Sequence, residues 1–189
     1  MRTFLAVVPP EDAARDIHSS RAVLRQVWKG VKWVIPQHFH ITLVFLGERE
    51  EKIVDEFCGV VGPVIGGFPC FDVQFDGIGC FGSPSFPRLI YERIGGGADH
   101  LAALNRSLQA VMENLIGKDP KRYHPHLTLG RPKHRGVEGP EGGELLPPGT
   151  KPDNVGAFRA SEVVLFRSVL RPEGAQYTIL DRWPLKEAL

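Results

Sequence analysis

Four of the seven histidines in this chain stand in two copies of one phrase. His38-Phe-His40-Ile-Thr42-Leu43 in the first half returns as His124-Pro-His126-Leu-Thr128-Leu129 in the second, and the two copies lie 126 − 40 = 86 positions apart. An imidazole titrates near neutrality, so it can take or give a proton at pH 7. A threonine hydroxyl two residues further on can donate to a phosphoryl oxygen and hold it still. Two such pairs facing each other would deprotonate a water on one side of phosphorus and protonate the departing oxygen on the other. Each proton-transfer role is worth about 10²- to 10⁴-fold in rate, and the scheme requires no metal or other cofactor.

The same residues admit other chemistry. His38/His40 and His124/His126 are each His-x-His, and four imidazoles would make a zinc or iron site for a metal-dependent hydrolase. Against this, no carboxylate or cysteine accompanies either pair, and the repeated threonine is left without a purpose. Structural histidines in two ordinary strands would not explain identity at four positions. An RNA- or nucleotide-binding protein without turnover would carry both motifs as well, so that alternative stays open.

The elements around the motifs decide how they are presented. Side chains alternate across a strand, so on strands His40 and Thr42 share one face, as do His126 and Thr128, opposite Ile41, Leu43, Leu127 and Leu129. The rest of the chain reads as short strands over 2–8, 31–35, 40–46, 68–81, 87–94, 126–130, 162–169 and 176–182. Helices are expected over 11–28, 50–61 and 99–116, the last carrying Leu101, Leu104, Leu108 and Met112 on one side. Pro132 to Asp153 reads as a long surface loop. Adjacent strand pairs with scattered helices argue for an α+β fold with antiparallel sheets and against a doubly wound parallel sheet. No glycine-rich phosphate loop has the required spacing.

Composition narrows the function classes. The net charge is +1 with 24% charged residues, so no global basic field exists to wrap long nucleic acid. Lys118, Lys121, Arg122, Arg131, Lys133, His134 and Arg135 nonetheless crowd the second motif, as a solvated loop or an anion-attracting rim. Three cysteines fit neither a disulfide framework nor a zinc spacing. With no apolar signal segment or long apolar run, a cytoplasmic protein with no membrane partner is expected.

The quoted motifs, with Phe4-Leu-Ala-Val-Val-Pro-Pro10, Trp33-Val-Ile-Pro36, Gly79-Cys-Phe81, Pro87-Arg88-Leu-Ile-Tyr91, Tyr123, Arg131, Ser168-Val-Leu170 and Gly174-Ala-Gln-Tyr177, resemble the 2H phosphoesterases over almost the whole chain. Within that superfamily they resemble the RNA 2′,3′-cyclic phosphodiesterases, also called 2′-5′ RNA ligases. The resemblance implies a single bilobal α+β domain over residues 1–189, two antiparallel sheets facing across a central cleft with helices outside, and pseudo-twofold symmetry. It implies a monomer that acts on RNA termini bearing a 2′,3′-cyclic phosphate, such as tRNA fragments, or on cyclic nucleotides. The product would be a 2′-phosphomonoester, with reversible 2′-5′ RNA ligation as a further reaction. Carried over by position, His40 protonates the departing 3′ oxygen, His126 activates water, and Thr42 and Thr128 hold the non-bridging oxygens. Phe45 and Arg131 match substrate-contact positions, yet strict strand alternation puts both on the face opposite the histidines. Gly130 stands where the family often has another small residue such as alanine.

Overall fold

The computed structural model describes residues 1–117, 122–134, 137, 140, 145–146, 156–171 and 174–187. Within these residues the β-branched and aromatic runs form ten strands: β1 (Arg2–Val7), β2 (Val31–Trp33), β3 (Ile41–Glu48), β4 (Phe71–Val73), β5 (Phe75–Gly82), β6 (Pro87–Ile94), β7 (His126–Pro132), β8 (Phe158–Ala160), β9 (Glu162–Arg171) and β10 (Gly174–Pro184). The helices are α1 (Glu11–Ser20), α2 (Ala22–Val27), α3 (Glu51–Gly66) and α4 (Ala98–Ile116). Eight strands make one antiparallel sheet in the order β10-β9-β1-β3-β7-β6-β5, with β2 alongside β7. The expected α+β architecture is present, and its two sheets prove continuous. The halves β10-β9-β1-β3 and β7-β6-β5 meet where β3 and β7 share one pair, Ile41 with Leu127.

That pair has an internal logic. Leu127 is the repeat counterpart of Ile41, since 41 + 86 = 127. An antiparallel pair in which a residue opposes its own counterpart lies on a local twofold axis. Both side chains are fully buried, so the axis runs through the core, with the His-x-Thr residues on either side of it.

The helices cover the sheet crosswise. After β6, α4 packs on β3 and α3, and α3 reaches β10. Leu101, Leu104 and Leu108 of α4 are wholly buried, as its 3-4 apolar spacing requires. The helical stretch expected over 11–28 breaks at Arg21. There the chain turns a guanidinium inward onto Glu92 of β6, in the other half of the sheet, with Nη2 donating to Oε2 at 3.2 Å and Nε to Oε1. Arg21 is 4% and Glu92 0% exposed. Burial pushes the Glu92 carboxyl upward from its ordinary value, and the hydrogen bonds and charge of Arg21 oppose that shift.

Other sequence expectations needed revision. The strand expected over 68–81 is divided into β4 and β5, and β4 pairs with the unforeseen β8 in a separate two-stranded ladder. The segment 132–153 falls mostly outside the described residues. Among the described residues no helix is long and apolar enough to cross a membrane.

Arg21→Met is expected to cost about 3–5 kcal/mol, because it strands a buried carboxylate, whereas Arg21→Met with Glu92→Leu should recover most of that loss. Urea denaturation of the two variants checks this. A double variant no more stable than the single would show that the pair's charge is not what the core requires.

Candidate active site

The two His-x-Thr segments occupy equivalent places about the central pair. His126 begins β7, and His40 immediately precedes β3. His38 and His124 are not on strands: His38 closes a short 3-10 helix over Pro36–His38, and His124 lies in the segment before β7. The two histidines of each His-x-His are therefore not neighbours on one strand. The first histidine of each pair contributes its backbone instead. His40 Nδ1 bonds to the carbonyl of His38 at 2.7 Å, and His126 Nδ1 to the carbonyl of His124 at 2.8 Å. A carbonyl only accepts, so Nδ1 carries the proton in both rings and Nε2 is left as the exchangeable nitrogen. His124 is further engaged through Nε2 with the Tyr91 hydroxyl at 3.0 Å. Among the described residues no group of three or more His, Cys, Asp or Glu side chains is placed to hold a metal ion.

Both rings sit in aromatic surroundings that motif reading missed. His40 lies 5.0 Å from Phe4 and 5.3 Å from Tyr177, centroid to centroid, and 6.2 Å from Phe166. His126 lies 5.1 Å from Phe81 and 5.3 Å from Tyr91. Tyr91 fits because its cross-strand partner is Gly79: a Cβ there would stand 2.6 Å from the ring. A glycine opposite an aromatic is the signal that would have found it. Desolvation in these surroundings pushes His40 down to about 4 and lowers His126. The positive charge of Arg131 lowers both further.

The position of Arg131 overturns the strict alternation expected from sequence, and so does that of Phe45. Along β1, Leu5 opposes Val44 but Ala6 opposes Thr42, so Leu43 is an extra residue in a β-bulge. Along β6, Ile90 opposes Gly130 but Tyr91 opposes Thr128, so Leu129 is extra in the same way. Each bulge shifts side-chain parity by one. Leu43 and Val44 are both buried, as are Leu129 and Gly130, and the next residue in each strand emerges on the side of the threonine. Those residues are Phe45, 49% exposed and 5.4 Å from Phe4, and Arg131, whose charge is felt by both histidines and by Tyr177.

The carbonyls of both extra residues find a donor outside the bulged ladder. Leu43 O accepts from the buried Asn105 side chain of α4 at 2.7 Å. Leu129 O accepts from the backbone N–H of Val34 at 2.8 Å. Gly130 explains why the second bulge takes a glycine: a Cβ there would meet Val31 at 2.7 Å and Trp33 at 2.8 Å, because β2 packs directly onto it.

Beyond Ile41 and Leu127 the strands part, and a cavity of about 280 Å³ opens between β3 and the chain leading into β7. Thr42, Phe45 and His126 lie in its wall, together with Gln109 and Met112 of α4.

Paired His-x-Thr segments related by a twofold in one antiparallel sheet are the build of a 2H phosphoesterase, and residues 7–91 match the family described as LigT like Phosphoesterase. A protein of Methanothermobacter thermautotrophicus named RNA 2′,3′-cyclic phosphodiesterase is 30% identical over 184 residues, covering 96% of this chain and 97% of its own. One of the same name from Methanocaldococcus jannaschii is 28% identical over 97% of this chain and 100% of its own. A crystal structure of a Thermus thermophilus protein superposes with a TM-score of 0.83 at 28% identity over 99% of both chains. The chain belongs to the RNA 2′,3′-cyclic phosphodiesterase family.

A histidine whose folded pKa is depressed stabilises the fold only while neutral. Its contribution is complete above the unfolded value, near 6.5, and is lost as pH falls toward about 4. Stability should therefore decline between pH 6.5 and 4, and His40→Gln should flatten that decline. Denaturation at stepped pH, with the imidazole signals followed by NMR, checks this. A His40 signal titrating at or above 6.5 would contradict the buried neutral ring.

Proposed function

We propose that this protein hydrolyses the 2′,3′-cyclic phosphate at RNA or nucleoside ends to the 2′-phosphomonoester, with the two imidazoles as its acid and base and no metal ion. The observation that carries the reading is the matched pair of Nδ1–carbonyl bonds, which present two exchangeable Nε2 atoms from opposite sides of the twofold. A cyclic phosphodiester is a monoanion, and Arg131 supplies the nearby positive charge that favours it. The proposed sequence of events starts with His126 Nε2 taking a proton from water as the oxygen attacks phosphorus. His40, protonated at Nε2, gives its proton to the departing 3′ oxygen. Thr42 and Thr128 donate to the non-bridging oxygens as charge develops on them. Phe45 and Arg131 flank the bound end, the first through its exposed ring and the second through its charge. When a 5′ hydroxyl replaces water as the attacking group, the same groups would join the ends through a 2′-5′ phosphodiester, with the P–O3′ bond broken and His40 again protonating the departing 3′ oxygen.

The electrostatics set the form of the pH dependence. The productive state has one imidazole neutral and one protonated, so its population peaks between their two pKa values. Both are lowered from 6.5 in the free cleft, one of them to about 4. The profile of kcat/KM should be a bell centred below pH 6.5, falling on the alkaline side as the second proton is lost. Bound substrate brings a negative charge that raises both imidazoles, so the bell in kcat should lie at higher pH than that in kcat/KM. Initial rates on cytidine 2′,3′-cyclic phosphate from about pH 4 to 9, a span that brackets the imidazole range, check both statements. A flat profile would remove the paired acid–base mechanism.

His40→Ala and His126→Ala should each lower kcat by about 10²-fold or more, with the double variant losing less than the product of the two. Thr128→Ala should lower kcat with little change in KM. Activity should survive EDTA; complete loss restored by zinc would favour a metal site built on the histidines.

A further inference from the structure

The two imidazoles share one kind of backbone anchor, but the anchors are fastened differently. His38 closes the short 3-10 helix, where its N–H donates to Ile35 O at 2.9 Å and that of Phe39 to Pro36 O at 3.0 Å. The carbonyl that accepts from His40 Nδ1 is therefore fixed by backbone hydrogen bonds around it. In the second copy Pro125 stands where the first has Phe39, since 39 + 86 = 125. A residue before proline is driven out of the helical region into extended backbone, so His124 is poorly suited to such a turn. Pro125 itself has no N–H to donate. Among the described residues, neither Tyr123 nor His124 makes a backbone–backbone hydrogen bond outside the strands.

A side chain takes over this task. Tyr91 of β6 stands opposite Thr128 of β7, and its buried ring lies over Gly79, where a Cβ would come within 2.6 Å. From there the ring packs 5.4 Å from His124 and 5.3 Å from His126, centroid to centroid. Its hydroxyl meets His124 Nε2 at 3.0 Å. Phe81 closes on the same two imidazoles, at 5.4 and 5.1 Å. Burial raises the pKa of Tyr91, so the hydroxyl keeps its proton.

We infer that Tyr91 is a positioning residue for His126: its hydroxyl pins the His124 ring, which holds the His124 carbonyl where it accepts from His126 Nδ1. His126 is thereby kept in the tautomer that leaves Nε2 free. The inference rests on the phosphodiesterase reading for what His126 does with that nitrogen. Tyr91 needs no contact with substrate in this role, and His40, anchored on a turn of backbone, does not depend on it.

The experiment follows the ring nitrogens of both histidines by 15N NMR at a pH where both rings are neutral, beside initial rates on cytidine 2′,3′-cyclic phosphate. In the wild type both rings should carry the proton on Nδ1. In Tyr91→Phe, His126 should show a mixture of tautomers while His40 is unchanged, so His40 serves as the internal control. The kcat should fall about three- to tenfold, the worth of one hydrogen bond, with little change in KM. His124→Leu should do the same. His124→Gln, whose amide reaches where Nε2 stands, should restore the tautomer of His126 and most of the rate.

An unchanged His126 tautomer in Tyr91→Phe would overturn the inference. A fall in kcat with that tautomer intact would mean that the hydroxyl acts on the substrate directly. Equal disturbance of His40 and His126 would also overturn it, by showing a general loosening of the cleft. If the wild type hydrolyses no cyclic phosphate, yet Tyr91→Phe releases the His126 tautomer alone, the positioning role stands and the phosphodiesterase reading falls.

Discussion

Everything at the site depends on one constraint: two strands meet at a single pair of equivalent residues and then part. Ile41 and Leu127 oppose each other about a local twofold, both fully buried. Continued pairing in that register would set His40 opposite Thr128 and Thr42 opposite His126, with backbone hydrogen bonds filling the space between. Because the described strands share only this pair, the histidines and threonines are brought close by the junction without being sealed into a ladder. The slender join also explains why the helices cross over. A junction of one pair holds two half-sheets weakly, and the buried Arg21–Glu92 contact fastens the N-terminal helices to the far half. The pairing of β2 with β7 does the same with backbone hydrogen bonds.

The bulges are the second level of the design. A strand with a buried face has its register fixed by that face, and slipping by one residue turns every side chain over. An inserted residue uses this rule locally. Leu43 and Val44 both point into the core, Phe45 returns to the cleft side, and Leu129, Gly130 and Arg131 repeat the manoeuvre. A bulge leaves its extra residue unpaired in that ladder, and a buried carbonyl without a donor costs about 1–3 kcal/mol. The fold meets this need twice by different means. Asn105 reaches up from α4 to Leu43, and the backbone of Val34 reaches across from the end of β2 to Leu129. Asn105 is buried and polar in the middle of an otherwise apolar helix face, and the bulge is its reason.

This separates what the sequence makes legible from what it hides. The repeated His-x-Thr phrase, the apolar face of α4 and the antiparallel α+β character are local patterns, readable from residue types and spacing. The side of the sheet on which Phe45 and Arg131 emerge is not, because it turns on Leu43 and Leu129 being extra residues relative to strands β1 and β6 elsewhere in the chain. Strict alternation puts both residues on the wrong face, while counting along the repeat pairs them with each other, since 45 + 86 = 131. The aromatic walls around His40 and His126 were hidden for a similar reason. Phe4, Phe166 and Tyr177 come from three strands, and their convergence on one ring is a product of strand order alone.

Symmetry in the scaffold does not mean symmetry in the chemistry. The twofold supplies two imidazoles with the same tautomer and the same backbone anchor, but their surroundings differ. His40 is enclosed by Phe4, Phe166 and Tyr177 and is pushed down to about 4, while His126 shares its pocket with the hydrogen-bonded pair Tyr91 and His124 and is lowered for the same leading reason, burial. At the two equivalent flanks stand an uncharged ring, Phe45, and a cation, Arg131. An anion entering this cleft meets the charge of Arg131 and two imidazoles whose pKa values burial lowers. Its own negative charge is then what makes protonation of one of them favourable. Under the proposed mechanism the acid would thus be created by the arrival of the substrate, since burial holds both imidazoles of the empty cleft below their ordinary pKa.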